Sequence, residues 1–308
     1  MIDITLIGTG ALLPLPDRAL TSAALTCRGR TILFDCGEGT QTAARKARVN
    51  FMKTDMIALT HYHGDHIFGL PGLLQTLFSM GREKPLYIVG PEGLQEAMSP
   101  IIALAGELSY ELRLMELPEG GIMMETLIPE WPSEAHLLPI KTNHRIPSQG
   151  YCFTLRRAGK FLPEKAKALG VPVNLWFRLQ KGETVQTENA VIAPEQVLSE
   201  PRKGLKFVFT GDTAPCEALE LAAQDADLMV SEATYGENEQ TALALERGHM
   251  TFALASQLAK RANAERLWLA HYSPRKDDPL AYLPNAREFF PEAVCGEDGM
   301  SITLDFAD

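Results

Sequence analysis

Cysteine is scarce and badly placed for chemistry: five occur among 308 residues (Cys27, Cys36, Cys152, Cys216 and Cys295), widely spaced and never as a C-x-x-C pair. Such a set argues against both a disulfide framework and a thiolate zinc site. No apolar run reaches the ~18–20 residues that a membrane-spanning helix needs, so no membrane partner is expected. The N-terminus has neither a basic stretch nor a small-residue cleavage site, and opens directly into strand-like Met1-Ile2-Asp3-Ile4-Thr5-Leu6-Ile7. No secretion signal is read there, and a cytoplasmic location follows. Excess positive charge is also missing. The formal net charge of −10 by itself counts against a nucleic-acid partner, because neutralising phosphates draws on Lys and Arg.

What is present suffices for a sizeable core: 45% of the residues are hydrophobic and 22% charged. Short β-rich runs at 30–34, 56–60 and 86–89 alternate with helical stretches near 70–80 and 92–105. Strands recur at 207–210, 228–231 and 267–270, with helices near 216–224 and 251–262. An α/β fold in two comparable halves is expected. Between the halves, roughly 155–200, lies a stretch rich in Gly, Pro and charge that reads as an inserted arm on a single domain spanning 1–308. The charge is concentrated there: residues 153–206 hold ten Lys/Arg against five Glu. A basic appendage on an acidic body is one reading, and a solvated surface segment the other.

Thr60-His61-Tyr62-His63-Gly64-Asp65-His66 places four potential metal ligands within six residues at the end of an apolar run. In extended chain, side chains i and i+2 point the same way, so His61 and His63 can reach one ion. Gly64 lets the backbone turn, and Asp65 and His66 can face a second ion. Three imidazoles and a carboxylate suit zinc with a position left open for water. Further candidates follow strand-like or turn-like runs: His144 in Thr142-Asn143-His144, Asp212 in Thr210-Gly211-Asp212-Thr213, and His271 after Leu267-Trp268-Leu269-Ala270. The two oxygens of Asp212 can bridge two cations. His136 fits no such pattern.

H-x-H-x-D-H followed by a later His, a Gly-Asp-Thr and a final His resembles the metallo-β-lactamase superfamily, across nearly the whole chain. Within it, Leu6-Ile7-Gly8-Thr9-Gly10, Phe34-Asp35-Cys36-Gly37-Glu38-Gly39-Thr40-Gln41, Gly69-Leu70-Pro71-Gly72-Leu73, Pro147-Ser148-Gln149-Gly150-Tyr151 and Glu232-Ala233-Thr234 resemble the ribonuclease Z family. The resemblance implies an αββα sandwich, often a homodimer, with a protruding arm that grips precursor tRNA. It implies two Zn²⁺ per chain, with Mn²⁺ as a substitute: one held by His61, His63 and His144, the other by Asp65, His66 and His271, with Asp212 between them. The implied reaction is removal of 3′ trailers from precursor tRNA by hydroxide activated at two metals, leaving a 3′-hydroxyl. Asp65 would orient the water and accept its proton. His249, in Gly248-His249-Met250-Thr251, would protonate the departing 3′-oxygen, with Glu232 holding its tautomer. Arg18, Arg275, Lys165, Lys167, Arg178 and Lys181 are the candidate substrate contacts.

The chain departs from the family in three places. Its Pro14-Leu15-Pro16-Asp17-Arg18-Ala19 loop keeps only the proline and Arg18 of the usual pattern. Its arm reads Gly170-Val171-Pro172-Val173-Asn174-Leu175 without the final Gly-Pro, and Lys276 stands where Tyr is common. None touches a ligand, and the first two fall on the family's tRNA-reading surfaces. A phosphodiesterase of small molecules such as cyclic nucleotides would use the same site but leave the basic arm unexplained. A non-catalytic RNA-binding protein is a third reading, against which seven intact ligands argue.

Overall fold

Ile2, Ile4, Leu6 and Ile7 are fully buried while Asp3 is exposed, the alternation of a strand with one face on a core. Thr54–Ala58 and Leu86–Gly90 are instead buried at every residue, as parallel strands covered on both faces are. These patterns build the protein, seen here as a computed structural model that describes residues 1–188, 190–274 and 278–307.

The strands are β1 (Ile2–Gly8), β2 (Ser22–Cys27), β3 (Arg30–Phe34), β4 (Thr54–Ala58), β5 (Leu86–Gly90), β6 (Leu112–Glu116), β7 (Ile122–Met123), β8 (Ala135–Lys141), β9 (Gln149–Arg157), β10 (Val185–Gln186), β11 (Val191–Ile192), β12 (Arg202–Phe209), β13 (Leu228–Glu232), β14 (Leu267–Ala270), β15 (Val294–Cys295) and β16 (Ser301–Leu304). Two seven-stranded sheets result, in the orders β16-β1-β2-β3-β4-β5-β6 and β15-β14-β13-β12-β9-β8-β7. Both are mixed: β3 to β6 run parallel in the first and β12 to β15 in the second.

The sheets face each other through aromatic side chains. The ring of Phe34 on β3 lies 5.7 Å from Tyr151 on β9, and 5.6 and 5.4 Å from Phe207 and Phe209 on β12. On the outer face of the first sheet, helices Leu70–Ser79 and Leu94–Ala105 bury Leu70, Leu74, Leu77 and Met98 against Ile57 and Ile88. On the second, helix Phe252–Arg261 buries Phe252, Ala255 and Leu258 against Met229 and Leu269. This is the αββα sandwich. Among the described residues no helix is long and apolar enough to cross a membrane.

Leu155–Gly204, with residues from Phe306 onward, forms a second compact unit. It has its own small core of Ala166, Val171, Leu179, Val185, Ile192 and Val197, flanked by Phe161 and Trp176. Two short helices, Pro163–Ala168 and Val173–Gln180, and the β10-β11 hairpin carry these residues.

Candidate metal centre

Parallel strands open their carboxyl ends at a common sheet edge, where open α/β sheets gather their sites. Asp35 follows β3, the histidine motif follows β4, Asp212 follows β12, Glu232 ends β13 and His271 follows β14. The run 56–60 stops being a strand at Ala58 because Thr60 N–H turns to a side chain, donating to Asp35 Oδ1 at 2.7 Å. Gly64 then begins a one-turn helix, Gly64–Ile67. Its role there is clearance: a Cβ would lie 2.4 Å from Cε2 of Phe68. Gly37 is also needed for space, since a Cβ there would sit 2.0 Å from the carbonyl oxygen of Asp65.

Four imidazoles of the centre are oriented from behind. Asp35 Oδ2 accepts from His66 Nδ1 at 2.8 Å and from Thr60 Oγ1 at 2.8 Å. With its own proton committed to Asp35, Thr60 Oγ1 accepts from His61 Nδ1 at 3.1 Å. Likewise Thr234 Oγ1 donates to Glu232 Oε2 at 2.7 Å and accepts from His271 Nδ1 at 2.9 Å. Gly248 O accepts from His144 Nδ1 at 2.9 Å. The protons of His61, His66, His144 and His271 are thereby fixed on Nδ1, and their bare Nε2 atoms face the centre. Asp35, Thr60, Thr234 and the Gly248 carbonyl take part although sequence reasoning gave none of them a role.

The bare nitrogens converge. His63 Nδ1 lies 2.9 Å from His61 Nε2 and 3.4 Å from His144 Nε2. Asp65 Oδ2 lies 3.7 Å from His66 Nε2 and 3.6 Å from His271 Nε2. Asp212 reaches into both groups: Oδ2 is 3.7 Å from His61 Nε2 and 3.5 Å from His66 Nε2, and Oδ1 is 3.2 Å from His271 Nε2. His66 Nε2, His271 Nε2 and Asp212 Oδ1 are buried with no hydrogen-bond partner. Buried polar atoms left unpaired are destabilising, as are lone pairs aimed at one another. A cation relieves both, and ligand atoms of a tetrahedral site with bonds of about 2.0–2.1 Å lie about 3.3 Å apart. The donor set therefore fits a metal.

Electrostatics run the same way. Burial, reinforced by His66, holds the His61 imidazole well below its ordinary value and therefore neutral, as a ligand must be. Burial opposes the charge on Asp212, but His271 and His66 outweigh it and hold the carboxyl well below the usual range. Burial likewise opposes the charge on Asp65, and His271 and His66 outweigh it.

Beside this group Glu232 Oε1 accepts from Thr213 N and His249 Nδ1, both at 2.9 Å, while Oε2 accepts from Thr234 N, Thr234 Oγ1 and Met250 N. Burial pulls the His249 imidazole down, but Glu232 and then Asp212 outweigh it and raise it to about 9. His249, Asp65, Asp212 and His63 all line one cleft of about 400 Å³.

Arg18 rests its guanidinium 5.3 Å above the ring of Tyr272. Lys165, Lys167, Arg178 and Lys181 belong to the second unit and are exposed. There Lys167 pairs with Glu164 at 3.1 Å, Arg178 with Glu183 at 2.8 Å, and Lys181 sits over the ring of Phe177. Arg275 and Lys276 lie outside the described residues. His136 Nε2 is 3.0 Å from the Gly120 carbonyl, away from the cluster.

Comparison with known proteins agrees with this geometry. A family model described as "Beta-lactamase superfamily domain" matches residues 196–272, and one described as "Anti-Pycsar protein Apyc1" matches residues 2–152. The chain is 40% identical over 308 residues to a ribonuclease Z of Lachnoclostridium phytofermentans, covering 99% of both. It is 41% identical over 308 residues to that of Lachnospira eligens, covering 100% of this chain and 99% of the other. Among solved structures, human tRNase Z, short form, superposes with a TM-score of 0.69 at 27% identity, over 99% of this chain and 100% of that one. A diphosphatase from the PhnP family, at 14% identity and a TM-score of 0.66, covers 99% of this chain and 98% of its own and shares the fold.

Proposed function

The chain belongs to the ribonuclease Z family, and from that premise we propose that it is a metal-dependent endoribonuclease that removes 3′ trailers from precursor tRNA. The observation that carries the reading is the convergence of seven donor side chains on a centre shared by Asp212, with the His249–Glu232 pair beside it. We infer two ions, Zn²⁺ with Mn²⁺ as a substitute: one at His61, His63 and His144, one at Asp65, His66 and His271, and Asp212 common to both. Such a pair, when bound, supplies Lewis acidity to the phosphodiester and makes water a nucleophile at neutral pH.

The chain's own residues do the rest. Asp65, held ionised and fixed by the Leu12 N–H at 2.8 Å, orients the attacking water and takes its proton. As the bond from phosphorus to the 3′-oxygen breaks, His249 donates a proton to that oxygen, leaving a 3′-hydroxyl on the tRNA and a phosphate on the trailer. Glu232 keeps the His249 Nδ1 proton in place, so Nε2 is the donating atom. The Leu155–Gly204 unit is read as a tRNA-docking arm, supported by its excess of Lys and Arg over acidic residues. Action in the cytoplasm, with thiols free at all five cysteines, and assembly as a homodimer belong to the same proposal.

The test compares 3′-extended precursor tRNA with bis-(p-nitrophenyl) phosphate, using zinc-loaded wild type and Asp212→Ala. A single cut at the tRNA end, absent from the variant together with part of its bound metal, supports the reading. Cleavage of the small ester alone keeps the hydrolase and rejects the tRNA assignment in favour of a small phosphodiester.

A further inference from the structure

The mouth of the cleft is apolar where the chemistry beneath it is polar. Phe68 is 66% exposed, Leu12 57% and Leu13 60%, and all three line the cleft into which Asp65, Asp212 and His249 face. Isolated exposed apolar residues need no explanation. Three sharing a cleft with the reacting groups call for an occupant with an apolar face.

Phe68 is also seated against the metal-binding motif. Cε2, Cδ2 and Cζ of its ring lie 2.4, 2.7 and 2.9 Å from where a Cβ on Gly64 would be, so one edge rests on the backbone of the metal-binding motif. Gly64 occupies ordinary helical backbone; the missing side chain makes room for the ring. Leu12 is tied to the same centre through its N–H on Asp65 Oδ2. Among the described residues lining the cleft, Arg145 is the one Lys or Arg. Charge can therefore hold a phosphate at this mouth, but only a flat apolar group answers Phe68.

We propose that Phe68 is a stacking platform for a nucleobase adjoining the scissile phosphodiester, and so a specificity-determining residue that favours nucleotides over other phosphodiesters. The inference rests on the ribonuclease reading. A base presents a π-face whatever its identity, so stacking grips the RNA without demanding a sequence. That suits an enzyme whose substrates differ in the bases around one cleavage point.

A cycle between protein and substrate tests it. Phe68→Ala, Phe68→Leu and Phe68→Tyr are compared on precursor tRNA that is intact or abasic at either nucleotide flanking the cut, with metal content measured throughout. The expected result is a fall in kcat/KM of about tenfold or more for Phe68→Ala and Phe68→Leu on intact substrate, with Phe68→Tyr near wild type. On one abasic substrate wild type should lose the same factor and Phe68→Ala nothing further. Equal losses on intact and both abasic substrates overturn the platform and leave Phe68 as packing over Gly64. A wild type inactive on every precursor overturns the ribonuclease reading itself, and the platform with it, so the two failures are told apart.

Discussion

Asp35 and His66 are joined by a 2.8 Å hydrogen bond between Oδ2 and Nδ1 that is closed to solvent at both ends. Burial disfavours the charged imidazole, yet Asp212 and Asp35 hold it well above its ordinary value, a pull toward positive charge at Nε2 that a metal ion would answer in the proton's place. Asp35 also receives both hydrogen bonds that fix Thr60, which in turn fixes His61. One carboxylate thus aims rings of both ligand groups.

Asp35→Asn should therefore weaken metal binding without touching a ligand, by about 10- to 100-fold, the usual effect of removing a partner behind a metal-binding histidine. Competition with a chromogenic chelator measures it. Unchanged affinity would mean that His66 is aimed by its packing alone.

The rate should fall on the alkaline side as His249 loses its proton. With its imidazole raised to about 9, the proton-donating form persists from acid pH up to that region and is lost above it. Cations at His144 and His271 act in the opposite sense, so the limb of the metal-loaded enzyme lies at or below pH 9. Glu232→Gln removes the main raising influence, and the limb should move to lower pH by about one unit or more. A pH profile of kcat at saturating metal decides, and an unmoved limb would detach Glu232 from the His249 proton.

Neutralising Lys165, Lys167, Arg178 and Lys181 together should raise KM for precursor tRNA by about tenfold or more while leaving the small ester unaffected. The pairs Lys167–Glu164 and Arg178–Glu183 are exposed ones, each worth about 0–1 kcal/mol, and so are easily exchanged for phosphate contacts. The dependence of KM on salt should become shallower in the variant. No change on either substrate would leave this unit without a docking role.

Much of this architecture was legible in the sequence because it is written in local patterns. The apolar runs at 86–89, 228–231 and 267–270 and the helical stretches near 70–80 and 251–262 lie within a residue or two of the observed elements. The Thr60–His66 cluster announced itself by spacing. What stayed hidden depends on partners far along the chain. Asp35 acts on a ring 31 residues later, and Thr234 on one 37 residues later. Each is a single polar residue with no periodicity to mark it. The early end of β4 has the same origin, since a side chain takes the N–H that would continue the ladder. Gly64 was read as a turn-maker, whereas it is clearance for a ring four residues on.

Leu12, Asp35 and His271 share one more property: their φ angles of 64°, 56° and 60° lie in the left-handed region. Side chains other than glycine are held there against their own preference, at about 1–3 kcal/mol of strain each. All three serve the centre, through the Leu12 N–H, the Asp35 carboxylate and the His271 ring. Glycine at 12 would keep the N–H, but at Asp35 and His271, which act through their side chains, robustness to heat and fitness for chemistry pull in opposite directions. A lineage or a library selected for thermal endurance alone would exchange them for glycine first, and would fall silent as an enzyme while its sandwich grew sturdier.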